Sequence, residues 1–176
     1  MTSITMEVRL QDFPATYRKL GKKLPEAVMR GAVRGAMRAV STLQRATSTA
    51  SPADPGGKGQ SGAVNTGAYK RAWKWEKLDM AVRVYNASPY AGIIEHGRRP
   101  GRFPPLSVIE HWAQRKLGLS KKEAKAAAFP IARAIAKRGL AGRKVLTKAA
   151  PKLEQDFIAE IRAELDRTVL TGGGAP

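Results

Sequence analysis

The chain has 176 residues, with 32 Lys and Arg against 14 Asp and Glu for a formal net charge of +18, two histidines and no cysteine. That length suits one compact domain with extensions, and the lack of cysteine excludes disulfide staples, thiolate metal sites and cysteine nucleophiles. The positive excess goes far beyond what solubility asks of a small domain, so polyanions or acidic neighbours are the expected partners.

Met1 to Leu10 shows no basic stretch followed by an apolar one, and no apolar run approaches membrane-spanning length. Cytoplasmic synthesis and no membrane contact are therefore expected. Ile4 to Leu10 alternates as a short strand with Met6, Val8 and Leu10 on one face, and Asp12-Phe13-Pro14 opens a helical region. From Leu24 to about Ala46, Leu24, Val28, Met29, Ala32, Val33, Ala36, Ala39, Val40 and Leu43 share one half of a helical wheel. Arg30, Arg34, Arg38 and Arg45 lie on the other half with Lys23. The spacing predicts a long helix with a core face and an opposite cationic ridge.

Residues 50–63 are rich in Gly, Pro and Ser and read as a mobile loop. After the Asn65-Thr66-Gly67 turn, Trp73 and Trp75 alternate with Lys74 and Glu76, and Met80, Val82 and Val84 alternate with Arg83 and Tyr85. This is the pattern of a β-hairpin with one apolar face, which the long helix is expected to cover. Ser88-Pro89 suits the start of a short helix ending at Gly97, followed by a basic loop from Arg98. Ser107 with Glu110, and Ser120 with Glu123, have capping-box spacing, and Gly118 and Gly139 stand where C-terminal caps belong. Pro130 is expected to kink or restart the segment that contains it. A last helix carries the apolar stripe Leu153, Phe157, Ile158, Ile161 and Leu165 together with Glu154, Asp156, Glu160, Glu164 and Asp166. These elements predict an α+β fold: a small antiparallel sheet (hairpin plus N-terminal strand) packed by a long amphipathic helix, with a helical C-terminal half.

Chemistry is hard to place. Glu95-His96 and Glu110-His111 lack the i, i+4 ligand spacing of a zinc helix. Gly56-Gly57-Lys58-Gly59 lacks the spacing and flanking elements of a phosphate loop. No nucleophile elbow or carboxylate pair appears, so no enzyme activity and no cofactor are expected. The charge remains. Arg98, Arg99 and Arg102 extend the ridge of Arg30, Arg34, Arg38 and Arg45 as candidate contacts to DNA phosphates or an acidic neighbour. Glu154, Glu160 and Glu164 are candidates for a subunit interface in which the acidic helix of one protomer meets the basic ridge of the next.

Two short segments, Val64-Asn65-Thr66-Gly67-Ala68-Tyr69 and Pro89-Tyr90-Ala91-Gly92-Ile93-Ile94-Glu95-His96-Gly97, together with Phe129 to Pro151, resemble the head-tail joining and tail-completion (minor tail, neck) proteins of tailed bacteriophages. The resemblance is sharpest at Asn65, Thr66, Gly67, Tyr69, Tyr90, Ala91, Ile94, Glu95 and Gly97. It implies a structural virion protein, synthesised in the host cytoplasm and placed at the neck or top of the tail. Its implied partners are copies of itself in a ring, the connector or stopper proteins and the tail terminator or tail-tube proteins, with phosphate contacts to genomic DNA as a further one. It also implies that the Asn65 turn holds helix to hairpin, that Tyr90, Ile93 and Ile94 pack on the sheet, and that Glu95 and Gly97 set up the following loop. In this layout residues 1–170 form one domain with a helical insertion at 98–128, and 171–176 form a disordered tail. The alternative reading is a cytoplasmic, sequence-independent DNA-binding protein.

Overall fold

The computed structural model describes residues 2–7, 17, 21–49, 66–79 and 81–172 of the chain. Loop 50–63, Asn65, Met80, Val8 and Leu10 lie outside the described residues. The fold is α+β. Three strands, β1 (Thr2–Glu7), β2 (Trp73–Lys77) and β3 (Ala81–Asn86), form an antiparallel sheet in the order β1-β3-β2. The register runs from Thr2 opposite Asn86 to Glu7 opposite Ala81, and from Trp73 opposite Asn86 to Lys77 opposite Val82. Val82 and Val84 alternate inward along β3, as period-two patterning requires.

Helix α1 (Lys23–Ser48) is the central element. Its apolar stripe divides between two neighbours: it packs on β2 and β3, and along helix α6 (Val145–Gly172). The three layers share one core in which Leu24, Leu43, Trp73, Val82, Phe157 and Leu165 are buried. The seam between α1 and α6 depends on residues without side chains. A Cβ on Gly31 would sit 2.6 Å from Ile161 Cα, and one on Gly35 would sit 2.5 Å from the Phe157 ring. Gly31 and Gly35, one turn apart, thus admit the backbone and the aromatic ring of α6.

Helix α6 begins at Val145, earlier than the apolar stripe from Leu153 suggests, and continues to Gly172, so residues 171 and 172 belong to the helix and not to a tail. The short helices are α2 (Ala68–Arg71) and α3 (Ala91–His96). Helix α3 starts two residues after Pro89. Ser88 does cap, but it caps a turn: its hydroxyl accepts from Tyr90 N–H at 3.2 Å and its carbonyl from Ala91 N–H at 3.0 Å.

Between β4 (Gly97–Arg98) and β5 (Leu140–Ala141) the chain makes a helical hairpin of α4 (Leu106–Leu117) and α5 (Lys121–Arg138). The two helices pack chiefly on each other around Ile109, Ala128 and Ala132. Their base is the β4–β5 ladder, which pairs Gly97 with Ala141 and Arg98 with Leu140. The expected insertion at 98–128 is therefore too short: Phe129 to Arg138 complete the hairpin, and the chain returns to the body only at β5. The Ser120–Glu123 capping box forms, with Ser120 N–H donating to Glu123 Oε2 at 2.8 Å. The Ser107–Glu110 box does not. Pro105 is the N-cap of α4, Val108 and Ile109 N–H groups approach its carbonyl, and Ser107 falls inside the first turn. Gly118 and Gly139 end α4 and α5. Helix α5 runs unbroken through Pro130, where both Pro130 and Ala126, whose carbonyl loses its usual donor, are exposed to water.

Replacing a helix-interior glycine with alanine ordinarily stabilises by about 0.5–1 kcal/mol. At position 31 the sign is expected to invert, because backbone must move to admit the methyl group and overpacking costs about 1–3 kcal/mol. Urea unfolding of Gly31→Ala checks this; a variant at least as stable as the parent would contradict the close approach of α1 and α6.

Candidate functional site

Parts of the segments singled out in the sequence, Tyr69, Tyr90 to Gly97 and Arg143 to Thr147, meet at one buried junction where α3, the end of α1, the sheet and the start of α6 converge; Phe129 to Arg138 lie on the helical hairpin. Ala91 and Glu95, one turn apart, share the inward face of α3. Glu95 is only 1% exposed, so its carboxylate requires donors. It finds them on the first turn of α6: Leu146 N–H donates to Oε2 at 3.0 Å, and Thr147 donates to Oε1 from its N–H at 2.9 Å and its hydroxyl at 2.8 Å. Helix α6 follows Lys144, which has φ +55°, so a residue some fifty positions away supplies the cap. The backbone joins in, with Arg143 N–H donating to Ile94 O at 2.8 Å and Lys144 N–H to Glu95 O at 3.0 Å. Gly97 takes φ +81°, and a Cβ there would overlap Leu140 O, so the β4–β5 approach requires glycine.

Arg143 reaches the other way. Its guanidinium donates to the carbonyls of Thr47 at 3.2 Å and Thr49 at 2.6 Å, closing the C-terminal end of α1. Thr47 Oγ1 donates to Leu43 O at 2.7 Å and accepts from Trp73 Nε1 at 2.9 Å. Asn86 on β3, fully buried, donates to Tyr69 O at 3.0 Å and accepts from Ser88 N–H at 2.9 Å. The Thr66-Gly67 turn enters here too: Thr66 Oγ1 accepts from Ala68 N–H at 3.3 Å, Gly67 has φ +75°, and Tyr69 is buried edge-to-face against Trp73. The Tyr69 hydroxyl has no hydrogen-bond partner among the described residues. Its pKa is pushed up to about 12, first by burial, then by the negative charge of Glu95, with Arg143 partly opposing.

Other expected positions fall elsewhere. Tyr90 and Ile93 do not pack on the sheet; they are exposed on α3, because Ala91, Ile94 and Glu95 occupy its inward side. Glu95 does more than shape the following loop, since it is the cap of α6. The cationic ridge is largely answered within the chain. Arg30 Nε lies 2.7 Å from Glu164 Oε1, Arg34 pairs with Glu164 Oε2, and Arg38 lies 2.8 Å from Glu160. Glu164 is buried, and its charge is surrounded by Arg30, Arg34 and Arg167. The assignment of Glu160 and Glu164 to a neighbouring subunit is therefore corrected, because α6 lies against the ridge of its own chain. Glu154 remains exposed. Among the described residues Arg45 bonds the hydroxyls of Ser41 and Thr42, Arg98 donates to the Arg102 carbonyl, and Arg99 and Arg102 lie exposed in the loop of the hairpin.

Sequence reasoning missed Arg143, Thr47 and Asn86. Beyond the resemblance, helical phase is a signal for Glu95, since it puts the residue under Ala91 in an otherwise apolar segment. Comparison with protein-family models, curated proteins and solved structures finds no match to this chain.

Glu95→Gln keeps the shape but turns an acceptor into a donor facing the N–H groups of α6. A loss of about 1–3 kcal/mol in unfolding free energy is expected, read from urea titration; an unchanged midpoint would remove Glu95 from its capping role. The Tyr69 shift predicts an alkaline limb. With a folded pKa above the ordinary 10.0, the contribution of Tyr69 is fully present below pH 10 and is lost as pH rises through about 12. In an ultraviolet titration of the four tyrosines, Tyr69→Phe is expected to remove the last to ionise and to change neutral stability by less than about 1 kcal/mol.

Proposed function

We propose that the chain is a structural virion protein of a tailed bacteriophage, a tail-completion or head-tail joining component that forms a ring between the portal or connector and the tail tube. The observation that carries this reading is the convergence of parts of its three resembling segments. Tyr69, Tyr90–Gly97 and the later part of the Phe129–Pro151 segment, distant in sequence, form one buried junction through Glu95, Gly97 and Arg143, while Phe129 to Arg138 lie apart on the helical hairpin. These residues serve architecture. Glu95 is consumed as a helix cap, Gly97 as a close-approach point and Tyr69 as core, which is the use expected of motif residues in an assembly protein.

In such a ring, subunit contacts cannot draw on Glu160 and Glu164, which the chain already uses. They fall instead to exposed apolar groups such as Tyr90 and Ile93 on α3, with Glu154 as a charged contact on α6. The connector and the tail terminator or tail-tube proteins are the remaining partners on this reading. Sequence-independent DNA binding, the second reading, is favoured by the charge of the hairpin but gives the buried junction no part in function.

Quantitative mass spectrometry of nuclease-treated, density-banded particles, referenced to the major capsid and tail-tube chains, checks the proposal. A low fixed ratio equal to one ring per particle is expected. Absence from particles, with the protein recovered in cytoplasmic nucleoprotein, would overturn it.

A further inference from the structure

The net charge of +18 is unevenly placed. Residues 98–140 hold eleven Lys and Arg against Glu110 and Glu123, a balance of +9, so half of the excess sits on the helical hairpin. Glu123 is engaged at the start of α5, where the Ser120 hydroxyl and N–H hold its carboxyl below the usual range. On α5, Lys121, Lys122, Lys125, Arg133 and Lys137 are all exposed. They form no ion pair among the described residues. At 100° per residue they fall within an arc of about 160°, in which Lys121 and Lys125 lie close to the phase of Ala132 while Arg133 and Lys137 lie opposite the alanine side, and they span about 24 Å along the axis.

The basic loop is fastened to this helix at two points. Gly101 N–H donates to Ala136 O at 2.8 Å, and Phe103 stacks on Phe129 with ring centroids 5.7 Å apart. Arg99 and Arg102 are thereby carried alongside α5. Among the described residues, these five cations of α5 have no pairing like the one that discharges the ridge of α1.

A second copy of the chain offers Glu154 and Asp79 as exposed acids that form no ion pair among the described residues, but no extended row of carboxylates among those residues. Glu26, Glu76, Asp156, Glu160 and Glu164 are paired with cations of their own chain, and Asp166 accepts from Tyr17. The partner must bring an extended row of anions from outside. Duplex DNA carries one charge per about 1.7 Å of axis, so 24 Å of it presents roughly 14 phosphate charges along one helix of this length.

We propose that the outward face of α5, with the attached loop 98–105, binds duplex DNA through its phosphates without reading sequence. Phosphate contact by flexible Lys and Arg on a helix face needs no base-edge geometry, and five such side chains on one face give affinity through counterion release. The proposal does not depend on the virion reading, since the purified chain alone tests it.

The experiment is fluorescence anisotropy of a labelled random-sequence duplex with the full chain across a salt series. Three proteins are compared: the parent, a hairpin variant (Lys121→Gln, Lys125→Gln, Arg133→Gln, Lys137→Gln) and a charge-matched body variant (Lys74→Gln, Lys77→Gln, Lys148→Gln, Lys152→Gln). All eight positions are exposed, and thermal unfolding confirms that each protein is folded. The parent is expected to bind near 0.15 M salt. The hairpin variant should lose at least tenfold in affinity and flatten the log K against log salt slope by about 3 to 4, at 0.9 per phosphate contact; the body variant should do neither. Equal losses in both variants would reduce the effect to net charge and overturn the proposal. So would failure of the parent to bind, or tighter capture of polyglutamate than of duplex, which would assign this face to an acidic protein.

Discussion

A carboxylate that is 1% exposed is tolerated only if donors replace the water it has lost, and Glu95 obtains three of them from the first turn of α6. That satisfaction sets the residue at which α6 starts. With the start set, helical phase brings Phe157 and Ile161 onto the α1 side, opposite Gly35 and Gly31, and Glu164 onto the same side near Arg30 and Arg34. The same junction holds α1 from its other end, because Arg143, just before α6, donates to the carbonyls of Thr47 and Thr49. Thr47 in turn accepts the indole N–H of Trp73 on β2. One buried acid and one buried base thus tie four elements together, each taking up backbone groups that a helix end would otherwise leave unbonded.

Charge is handled by location. Along the α1–α6 seam, acids and bases meet within the chain, and the half-buried Arg30 and Arg34 share the buried Glu164. Exposed pairs contribute little, typically about 0–1 kcal/mol. Leaving Glu164 buried without its arginines would cost more, on the order of 3–5 kcal/mol. This difference explains why the arginines of α1 belong to the fold. The helical hairpin follows another rule: its core is small, its helices pack chiefly on each other, and the cations of α5 face water. Stability therefore resides in the sheet, α1 and α6, while uncompensated charge resides on the hairpin.

The elements that were legible in the sequence are those with a strong local cause. The long helix, the β-hairpin and the Ser120–Glu123 cap follow from periodicity and from groups three residues apart. Errors arose where two local solutions competed. Ser107 and Glu110 have the spacing of a cap, but Pro105 starts α4 first. Tyr90 and Ile93 look like core residues, yet α3 offers a narrow inward side already filled by Ala91, Ile94 and Glu95. Pro130 should break a helix, but it faces water, which can satisfy the carbonyl it leaves behind.

By itself, the sequence determined the α+β class, the amphipathic faces and the surplus of positive charge, because each depends on residues near one another in the chain or on composition alone. Only the tertiary structure decided which charges are spent inside the molecule. Arg30 and Arg34 are separated from Glu164 by some 130 positions, and Glu95 from Thr147 by 52. No periodicity links groups so far apart. Their pairing follows from the close approach at Gly31 and Gly35 and from the demand of a buried carboxylate for donors, both of which exist only once the helices have packed.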